Sequence, residues 1–308
     1  MNYIDKQFYK LTNEIKSLTF EELFEKIKRN YLFLPDDFKK IFEDYFKKFS
    51  FWGSLSQKDG DFTEIQLKAK VLKNHISDFI WLYKKLEDYS SKFLLYAILR
   101  NWVYYDFTSL KKSICTKKYH YFDLDIIPHC KDEVFVDVGA YVGDTTLDFI
   151  ACYGEESYKK IYCYEITKNM LPILNQNLQK YNNVVIRHAA LRDKRSRMFL
   201  DENFQDISAN RTAKSGREAV ECVSLDEDVK HEVSLIKMDI EGDELKALKG
   251  CKNHIMREKP KLLISIYHKN EHFFQLAKLI HSYNKGYKFY LRNYGGELYP
   301  TEIVLFGG

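Results

Sequence analysis

Residues 134–144 read Val-Phe-Val-Asp-Val-Gly-Ala-Tyr-Val-Gly-Asp. An apolar run ends at Asp137, two glycines follow at Gly139 and Gly143, and a helical pattern begins at Asp144. A strand, a glycine turn and a helix in this order place backbone N–H groups and a helix N-terminus around a ligand at the carboxyl end of a parallel sheet. This stretch therefore predicts a Rossmann-like α/β fold with its ligand site at the turn.

The glycine spacing in this turn disfavours a dinucleotide-binding dehydrogenase. The usual fingerprint has glycines at relative positions 1, 3 and 6, whereas here Ala140 and Tyr141 lie between glycines that are four residues apart. The tyrosine ring would crowd a pyrophosphate, and a carboxylate before the first glycine suits a cationic ligand better. S-adenosylmethionine carries an ammonium and a sulfonium, so we predict that it binds here. The predicted binding residues are Asp137, Gly139, Ala140, Tyr141, Gly143 and Asp144.

The composition of the whole chain sets broad limits on its class. With 308 residues and 45% hydrophobic residues, the chain is long enough for one large domain or two. The net charge of +4 does not indicate a nucleic-acid partner. The longest purely apolar run is Phe93–Leu99, far below the roughly 20 residues of a membrane span, and the N-terminus lacks the apolar core of a secretory leader. We expect a cytoplasmic protein with no membrane span.

The six cysteines form no C-x-x-C pair, which favours reduced, buried thiols without a structural zinc.

The first part of the chain, residues 1–110, has apolar residues at helical spacing, for example Leu72, Ile76, Phe79 and Tyr83. We therefore predict a helical N-terminal domain over residues 1–115 and a second domain over residues 116–308. The aromatic stripes of the first domain fit a core, a lid, a substrate wall or a dimer contact.

From residue 134 the pattern changes to short β-rich runs that alternate with helices, which predicts a parallel sheet covered by helices on both faces. The predicted strands are Val134–Val138, Ile161–Glu165, Val184–His188, Leu235–Met238, Leu262–Tyr267, Lys288–Leu291 and Ile303–Phe306. The predicted helices cover 144–152, 168–180, 243–250 and 271–284. The polar segment 192–222 breaks the rhythm and is predicted to hold a strand pair near 197–200 and 219–223. A turn at 293–297 predicts a final antiparallel hairpin.

Glu165 ends the second predicted strand, where an acidic side chain can accept hydrogen bonds from both ribose hydroxyls of an adenosine ligand. In the ordinary alternative, Glu165 only supplies a negative charge at the N-terminus of the next helix. Because Glu165 follows the glycine turn in the chain, ribose binding is the better interpretation of this residue. We predict that the adenine lies near Ala189 and Ala190, which follow the third strand.

Four carboxylates lie close together after the fourth strand, which requires compensation by a cation, a helix N-terminus or solvent. Asp239 and Glu241 are placed where an α/β sheet binds ligands, whereas Asp243 and Glu244 are expected to serve the next helix and face water. The neighbouring strand leads to His268. We therefore predict that Asp239 and His268 face the same crevice.

Together these motifs resemble the FkbM-type family of S-adenosylmethionine-dependent methyltransferases. The matching segments are Tyr121-Phe122-Asp123, residues 134–145, Lys-Met-Asp-Ile-Glu-Gly-Asp-Glu at 237–244, Ser-Ile-Tyr-His-Lys at 265–269, Phe-Tyr-Leu-Arg-Asn-Tyr at 289–294 and Glu-Ile-Val-Leu-Phe at 302–306. The resemblance implies a seven-stranded class I methyltransferase sheet and O-methylation of sugars or other small hydroxylated molecules. Asn293 departs from the pattern, because a histidine is expected there in the closest relatives.

The leading interpretation is therefore an O-methyltransferase acting on a sugar or nucleotide-linked sugar in surface polysaccharide biosynthesis. N- or C-methylation of another small metabolite uses the same cofactor site and stays open. So does a catalytically silent S-adenosylmethionine-binding module that interacts through its helical half.

Two designs for activating the acceptor fit the sequence. In the first, His268 takes the proton of the hydroxyl and Asp239 orients its ring, as a carboxylate does in hydrolase triads. In the second, Asp239, Glu241 and His268 hold a divalent cation that lowers the pKa of the hydroxyl. Mixed carboxylate and imidazole ligands suit Mn²⁺, Fe²⁺ or Mg²⁺. In the third alternative, Asp239 and Glu241 only shape the turn and contact the cofactor.

Overall fold

The computed structural model describes residues 1–56, 58, 61–116, 119–201, 210–216 and 218–308. The chain divides into two compact units. The first unit comprises Met1–Cys115, Tyr267–Phe274 and Leu291–Ile303. The second comprises Thr116–Ile266, Gln275–Tyr290 and Val304–Gly308. Among the described residues, no helix has both the length and the apolar character that crossing a membrane requires.

The N-terminal part of the chain is helical, as its periodicity predicts. Its helices are α1 Tyr3–Ser17, α2 Phe20–Leu32, α3 Asp36–Lys48, a 3₁₀ turn at Ser50–Trp52, α4 Thr63–Lys85, α5 Tyr89–Tyr104 and α6 Phe107–Lys112. The first two begin with capping boxes, in which Asn2 and Thr19 accept hydrogen bonds from backbone N–H groups of the first turn. Trp102 is buried and meets Phe79 and Phe273 edge-on at centroid distances of 6.0 and 5.4 Å.

Strands and helices alternate from residue 133 onward. The strands are β1 Glu133–Val138, β2 Tyr158–Glu165, β3 Val184–His188, β4 Ala190–Leu191, β5 Ser196–Asp201, β6 Arg211–Ala213, β7 Ala219–Val223, β8 Leu235–Met238, β9 Lys261–Ser265, β10 Phe289–Asn293 and β11 Ile303–Gly307. The helices are α7 Asp144–Tyr153, α8 Leu171–Leu178, α9 Leu225–Asp228, α10 Glu244–Lys249, α11 Lys252–Arg257 and α12 His272–Tyr283, with 3₁₀ turns at Glu155–Ser157 and Lys168–Met170.

The predicted seven-stranded sheet is confirmed, with the order β10-β11-β9-β8-β1-β2-β3. Strand β1 lies between β2 and β8 and is parallel to both, so that Asp137 has Cys163 on one side and Lys237 on the other. Strand β8 is also parallel to β9, whereas β11 is antiparallel to β9. Strand β1 leads into the glycine turn, β2 ends in Glu165, and β8 is followed by Asp239. These three strands are neighbours and parallel, so all three end at the same edge of the sheet.

The segment between β3 and β8 adds a second, four-stranded sheet with the order β4-β7-β5-β6. Strands β5 and β7 form the predicted strand pair, which is antiparallel, with Met198 opposite Val220. Cys222, Leu200 and Ala190 form a small core with Val220. The sequence pattern did not predict β4 and β6. Both are very short, and β6 follows the undescribed residues 202–209.

Candidate functional site

The glycine turn needs both of its glycines for steric reasons. Gly139 has a positive φ of 78°, and a Cβ there would lie 1.9 Å from the main-chain oxygen of Asp239. Gly143 has a φ of 86° and precedes α7, and a Cβ there would lie 3.0 Å from Leu174 Cδ1. Such φ values are readily adopted only by glycine. The backbone of β1 therefore approaches that of the Asp239 turn more closely than any side chain at position 139 allows.

Glu165 holds the glycine turn through its carboxylate. It ends β2 and is only 5% exposed. Its Oε2 accepts a hydrogen bond of 2.8 Å from the backbone N–H of Tyr141, and its Oε1 accepts one of 2.6 Å from that of Thr167. A carboxylate offers about four lone-pair positions, so two remain for hydroxyl donors. The side chain predicted to bind ribose thus also fixes Tyr141, which has a left-handed φ of 47°.

Asp137 lies beneath the turn and is fully buried. One of its oxygens is 3.1 Å from Lys237 Nζ, and the other accepts a 2.8 Å hydrogen bond from the Thr146 hydroxyl. Lys237 also donates to the carbonyl oxygen of Gly139 at 2.8 Å. Burial lowers the pKa of Lys237, but the carboxylates of Asp137 and Asp239 outweigh it, and the pKa rises. This buried pair links β1 and β8 beneath the turn.

The sequence analysis did not single out Lys237 as a functional residue. It is a lone charge within a four-residue strand that is buried throughout. An isolated charge inside an apolar strand is a signal that a buried partner is present, because an unpaired buried charge is very costly.

Asp239 follows β8 and is bound by Tyr121, a residue to which the sequence assigned no role. The Tyr121 hydroxyl donates to Asp239 Oδ2 at 2.6 Å and lies 3.1 Å from the Ser265 hydroxyl at the end of β9. The ring of His120 stacks on that of Tyr121 with a centroid distance of 4.5 Å. Burial lowers the pKa of His120 to about 4, although the Asp239 carboxylate opposes the shift. His120 is therefore neutral at pH 7.

The carboxylates of this turn differ in their surroundings. An oxygen of Asp239 and one of Glu241 lie within 4.8 Å of each other. The expectation that Glu244 faces water is wrong, because Glu244 is fully buried and accepts hydrogen bonds from the backbone N–H groups of Ile240 and Gly242. Its carboxylate satisfies backbone donors of the tight turn, which need partners once the turn is buried.

Asp243 does not simply face water either. It forms an ion pair of 3.0 Å with Arg192, which is 7% exposed, and a second one of 3.2 Å with Lys246.

His268 belongs to the first unit, where it is 3% exposed and its carbonyl oxygen accepts a 2.8 Å hydrogen bond from Trp52 Nε1. The predicted pairing of His268 with Asp239 stays a prediction.

A cavity opens where β1, β2 and β8 end. Its lining includes Gly139, Tyr141, Glu165, Ala189, Ala190, Asp239 and Glu241 among the residues that the sequence singled out, and Ile166, Thr167, Asn210, Thr212 and Asp243 in addition. Acidic groups line it beside apolar walls, a combination that suits a cationic ligand with an adenosine end.

The fold and this cavity define a Rossmann-like α/β protein with a ligand site at the carboxyl ends of its parallel strands. The FkbM methyltransferase domain model matches residues 137–295, which is just over half of the chain. The chain therefore belongs to the FkbM methyltransferase family, as the sequence motifs indicate.

Solved structures are similar to this chain to different degrees. The methyltransferase FkbM of Methylobacillus flagellatus KT is 23% identical with a TM-score of 0.64, and the match covers 78% of this chain and 60% of that one. The chain thus spans less than two thirds of the length of that relative. An rRNA methylase of Streptococcus thermophilus is 14% identical with a TM-score of 0.38, covering 59% and 90%. Aeropyrum pernix fibrillarin, bound to S-adenosyl-L-methionine, is 10% identical with a TM-score of 0.38, covering 58% and 67%. No curated protein matches the chain.

Proposed function

We propose that this protein transfers the methyl group of S-adenosylmethionine to a hydroxyl of a sugar or nucleotide-linked sugar. The proposed methyl-donor site is supported by one observation, the cavity lined by the glycine turn, by Glu165 and by Ala189 and Ala190. The sugar acceptor and a place in surface polysaccharide biosynthesis rest on the family resemblance.

The donor is proposed to lie with its ribose hydroxyls on Glu165, its adenine beside Ala189 and Ala190, and its methionine end at Gly139 above the buried Asp137–Lys237 pair. Glu165 keeps lone pairs for two hydroxyl donors after binding its two backbone N–H groups. Hydrogen bonds to a charged acceptor contribute about 1.5–3 kcal/mol each.

Calorimetry with S-adenosylhomocysteine and with its 2′,3′-dideoxy analogue tests the ribose contact. We expect Glu165→Gln to bind S-adenosylhomocysteine at least tenfold more weakly, while its affinity for the dideoxy analogue changes much less. Glu155→Gln is the matched control, because Glu155 is exposed. An equal loss of affinity for both ligands would show that Glu165 only stabilises the glycine turn.

Methyl transfer from a sulfonium is an in-line displacement in which the acceptor oxygen forms the new bond to carbon and the sulfur leaves as a neutral thioether. The protein must hold the oxygen close to the methyl group and accept the hydroxyl proton. Positioning supplies roughly 7–11 kcal/mol, and a placed base adds about 10²–10⁴-fold. We propose His268 as the base and Asp239 as the carboxylate that orients it, because these residues follow neighbouring parallel strands.

A cation-assisted version rests on the proximity of the Asp239 and Glu241 carboxylates. Oxygen ligands at this separation fit Mg²⁺, Mn²⁺ or Fe²⁺, with His268 as the proposed third ligand. Bound there, such an ion would lower the pKa of the acceptor hydroxyl. Activity that survives exhaustive dialysis against EDTA excludes this version, whereas activity lost and then restored by one divalent ion excludes the dyad acting alone.

A panel of sugars, nucleotide-linked sugars, amines and enolic metabolites tests the acceptor class, with release of S-adenosylhomocysteine measured by mass spectrometry. We expect turnover with a sugar hydroxyl and a loss of at least a hundredfold in Asp239→Asn and in His268→Ala, with donor affinity largely kept. Turnover of amines alone would favour N-methylation. Tight donor binding with no turnover across the panel would favour a silent binding module.

The helical N-terminal part is proposed to form a substrate wall or a homodimer contact. Sedimentation of the full chain over a range of concentrations tests the dimer. A monomer at every concentration leaves the substrate wall as its proposed role.

A further inference from the structure

The segment that carries His268 packs against the helical part of the chain. Residues 267–274 belong to the first unit, together with the N-terminal helices. Near the end of this segment, Phe273 meets Trp102 of α5 edge-on at a centroid distance of 5.4 Å, and Phe274 packs in the same way on α4. Edge-on pairs are favoured because the positive edge of one ring meets the negative face of the other. The end of the segment is therefore fixed to these two helices.

Trp52 holds the beginning of the same segment through a hydrogen bond. Its indole Nε1 donates to the main-chain oxygen of His268 at 2.8 Å, although 216 residues separate the two in the chain. This distance is typical of a good N–H···O hydrogen bond. The bond goes to the main chain and uses neither nitrogen of the His268 ring. It therefore restricts where the backbone of His268 lies and leaves the chemistry of the ring unchanged.

Three aromatic side chains of the first unit pack around Trp52. Tyr45 stacks on it with ring centroids 5.6 Å apart and an interplanar angle of 15°. Phe49 and Tyr299 lie at the same centroid distance, 5.6 Å, with their rings tilted. Side chains in such close packing stay in one rotamer on the time average. The indole N–H of Trp52 therefore keeps one direction, towards the His268 carbonyl oxygen.

Tyr299 is itself held by a buried ion pair of α4. Lys68 and Glu64 are each 1% exposed and form an ion pair one helical turn apart. The Lys68 ammonium lies 4.6 Å from the centre of the Tyr299 ring, and the Tyr299 hydroxyl donates to Glu64 Oε1 at 3.4 Å. A cation over the face of a tyrosine is attracted by the ring quadrupole. The rings around Trp52 are thus tied to the core of the helical part.

We propose that Trp52 is a positioning residue for methyl transfer, because it fixes the main chain from which the His268 side chain extends. A general base acts only within hydrogen-bond reach of the proton that it removes. Misplacement by about 1 Å can lower a rate by about a hundredfold. This role rests on the proposed function of His268 as the base. It gives the helical part a share in the chemical step, beyond that of a substrate wall or a dimer contact.

Steady-state kinetics of Trp52→Phe in the full chain test this role. Phenylalanine keeps an aromatic ring but has no N–H to donate. We expect kcat to fall about tenfold or more, while the KM of the acceptor and the affinity for S-adenosylhomocysteine stay within about twofold. Rates are expressed per site that binds S-adenosylhomocysteine in calorimetry, so that a smaller folded fraction does not lower kcat. Trp81→Phe, which removes the same group from a half-buried tryptophan of α4, is the matched control and should keep the full kcat.

The double variant shows whether Trp52 acts through His268. Effects of residues that act as a unit are not additive. In the His268→Ala background, Trp52→Phe should therefore lower kcat by less than about twofold. A further loss as large as in the unaltered protein would overturn the proposal. A full rate in His268→Ala alone would instead refute His268 as the base, which is a failure of the proposed function.

Hydrogen exchange followed by mass spectrometry tests the positioning without an acceptor. Loss of the Trp52 hydrogen bond should speed exchange in peptides that cover residues 267–274, and Trp81→Phe should leave it unchanged. Unchanged exchange in Trp52→Phe would overturn the proposal even if no acceptor of the panel is methylated. Faster exchange with a full kcat would overturn it as well. Trp52→Met, with an apolar side chain that has no donor, replaces Trp52→Phe if that variant does not fold, as judged by circular dichroism.

Discussion

The Tyr121 hydroxyl donates a 2.6 Å hydrogen bond to the Asp239 carboxylate, although 118 residues separate them in the chain. Tyr121 precedes β1, and Asp239 follows β8, the strand beside it. The bond fixes the rotamer of the carboxylate that we propose to act in proton removal. Tyr121 is therefore a positioning residue.

Tyr121→Phe should lower kcat roughly tenfold to a hundredfold, because a hydrogen bond to a charged acceptor contributes about 1.5–3 kcal/mol. Affinity for S-adenosylhomocysteine should stay within about twofold. Rates are measured with the acceptor that the substrate panel identifies. Tyr119→Phe is the matched control, since its hydroxyl makes an exposed 3.4 Å bond to the Ala151 carbonyl. A full rate in Tyr121→Phe would remove Tyr121 from the site.

Gly139→Ala should abolish donor binding and lower the melting temperature strongly, because its Cβ would lie 1.9 Å from the Asp239 carbonyl oxygen. Gly154→Ala is the control that separates the steric clash from the strain of an alanine at a positive φ. Gly154 also has a positive φ, 88°, but a Cβ there meets nothing within 4 Å. Its substitution should cost only the strain, about 1–3 kcal/mol. Equal destabilisation of the two variants, measured by thermal unfolding, would contradict the close approach.

Lys237→Met should destabilise the protein by about 3–5 kcal/mol, because it leaves the Asp137 carboxylate buried without its cation. Asp137→Asn in the same background should recover part of this loss. Urea unfolding measures both. Lys246→Met, which removes a half-exposed lysine 3.2 Å from Asp243, should change stability by less than about 1 kcal/mol. No recovery in the double variant would show that the pair does not act as a unit.

The ring of His120 should stay neutral down to about pH 4, as its lowered pKa implies. Between about pH 6.5 and 4 the unfolded chain binds a proton that the folded chain does not, so stability falls as the pH falls, by up to about 3 kcal/mol. Histidine ring signals in a nuclear magnetic resonance titration, assigned with His120→Gln, measure this pKa. A midpoint near 6.5 would contradict the burial of the ring.

The sequence by itself determined the seven strands, the glycine turn and the position of Glu165 at a strand end. These features are local in the chain. A buried strand is recorded as a short apolar run and a turn as a fixed glycine spacing. Family membership could be inferred for the same reason, since the segments around Gly139 and Asp239 are short and contiguous.

Only the tertiary structure decided which side chains meet. Tyr121 reaches Asp239, Lys237 pairs with Asp137, and Thr212 lines the cavity from a strand too short to leave a pattern. Glu244 was misjudged because charge alone suggests solvent, whereas its carboxylate satisfies buried backbone donors. Such partners lie far apart in the chain. Their contacts depend on strand order and on the burial of each polar group, which exist only once the chain has folded.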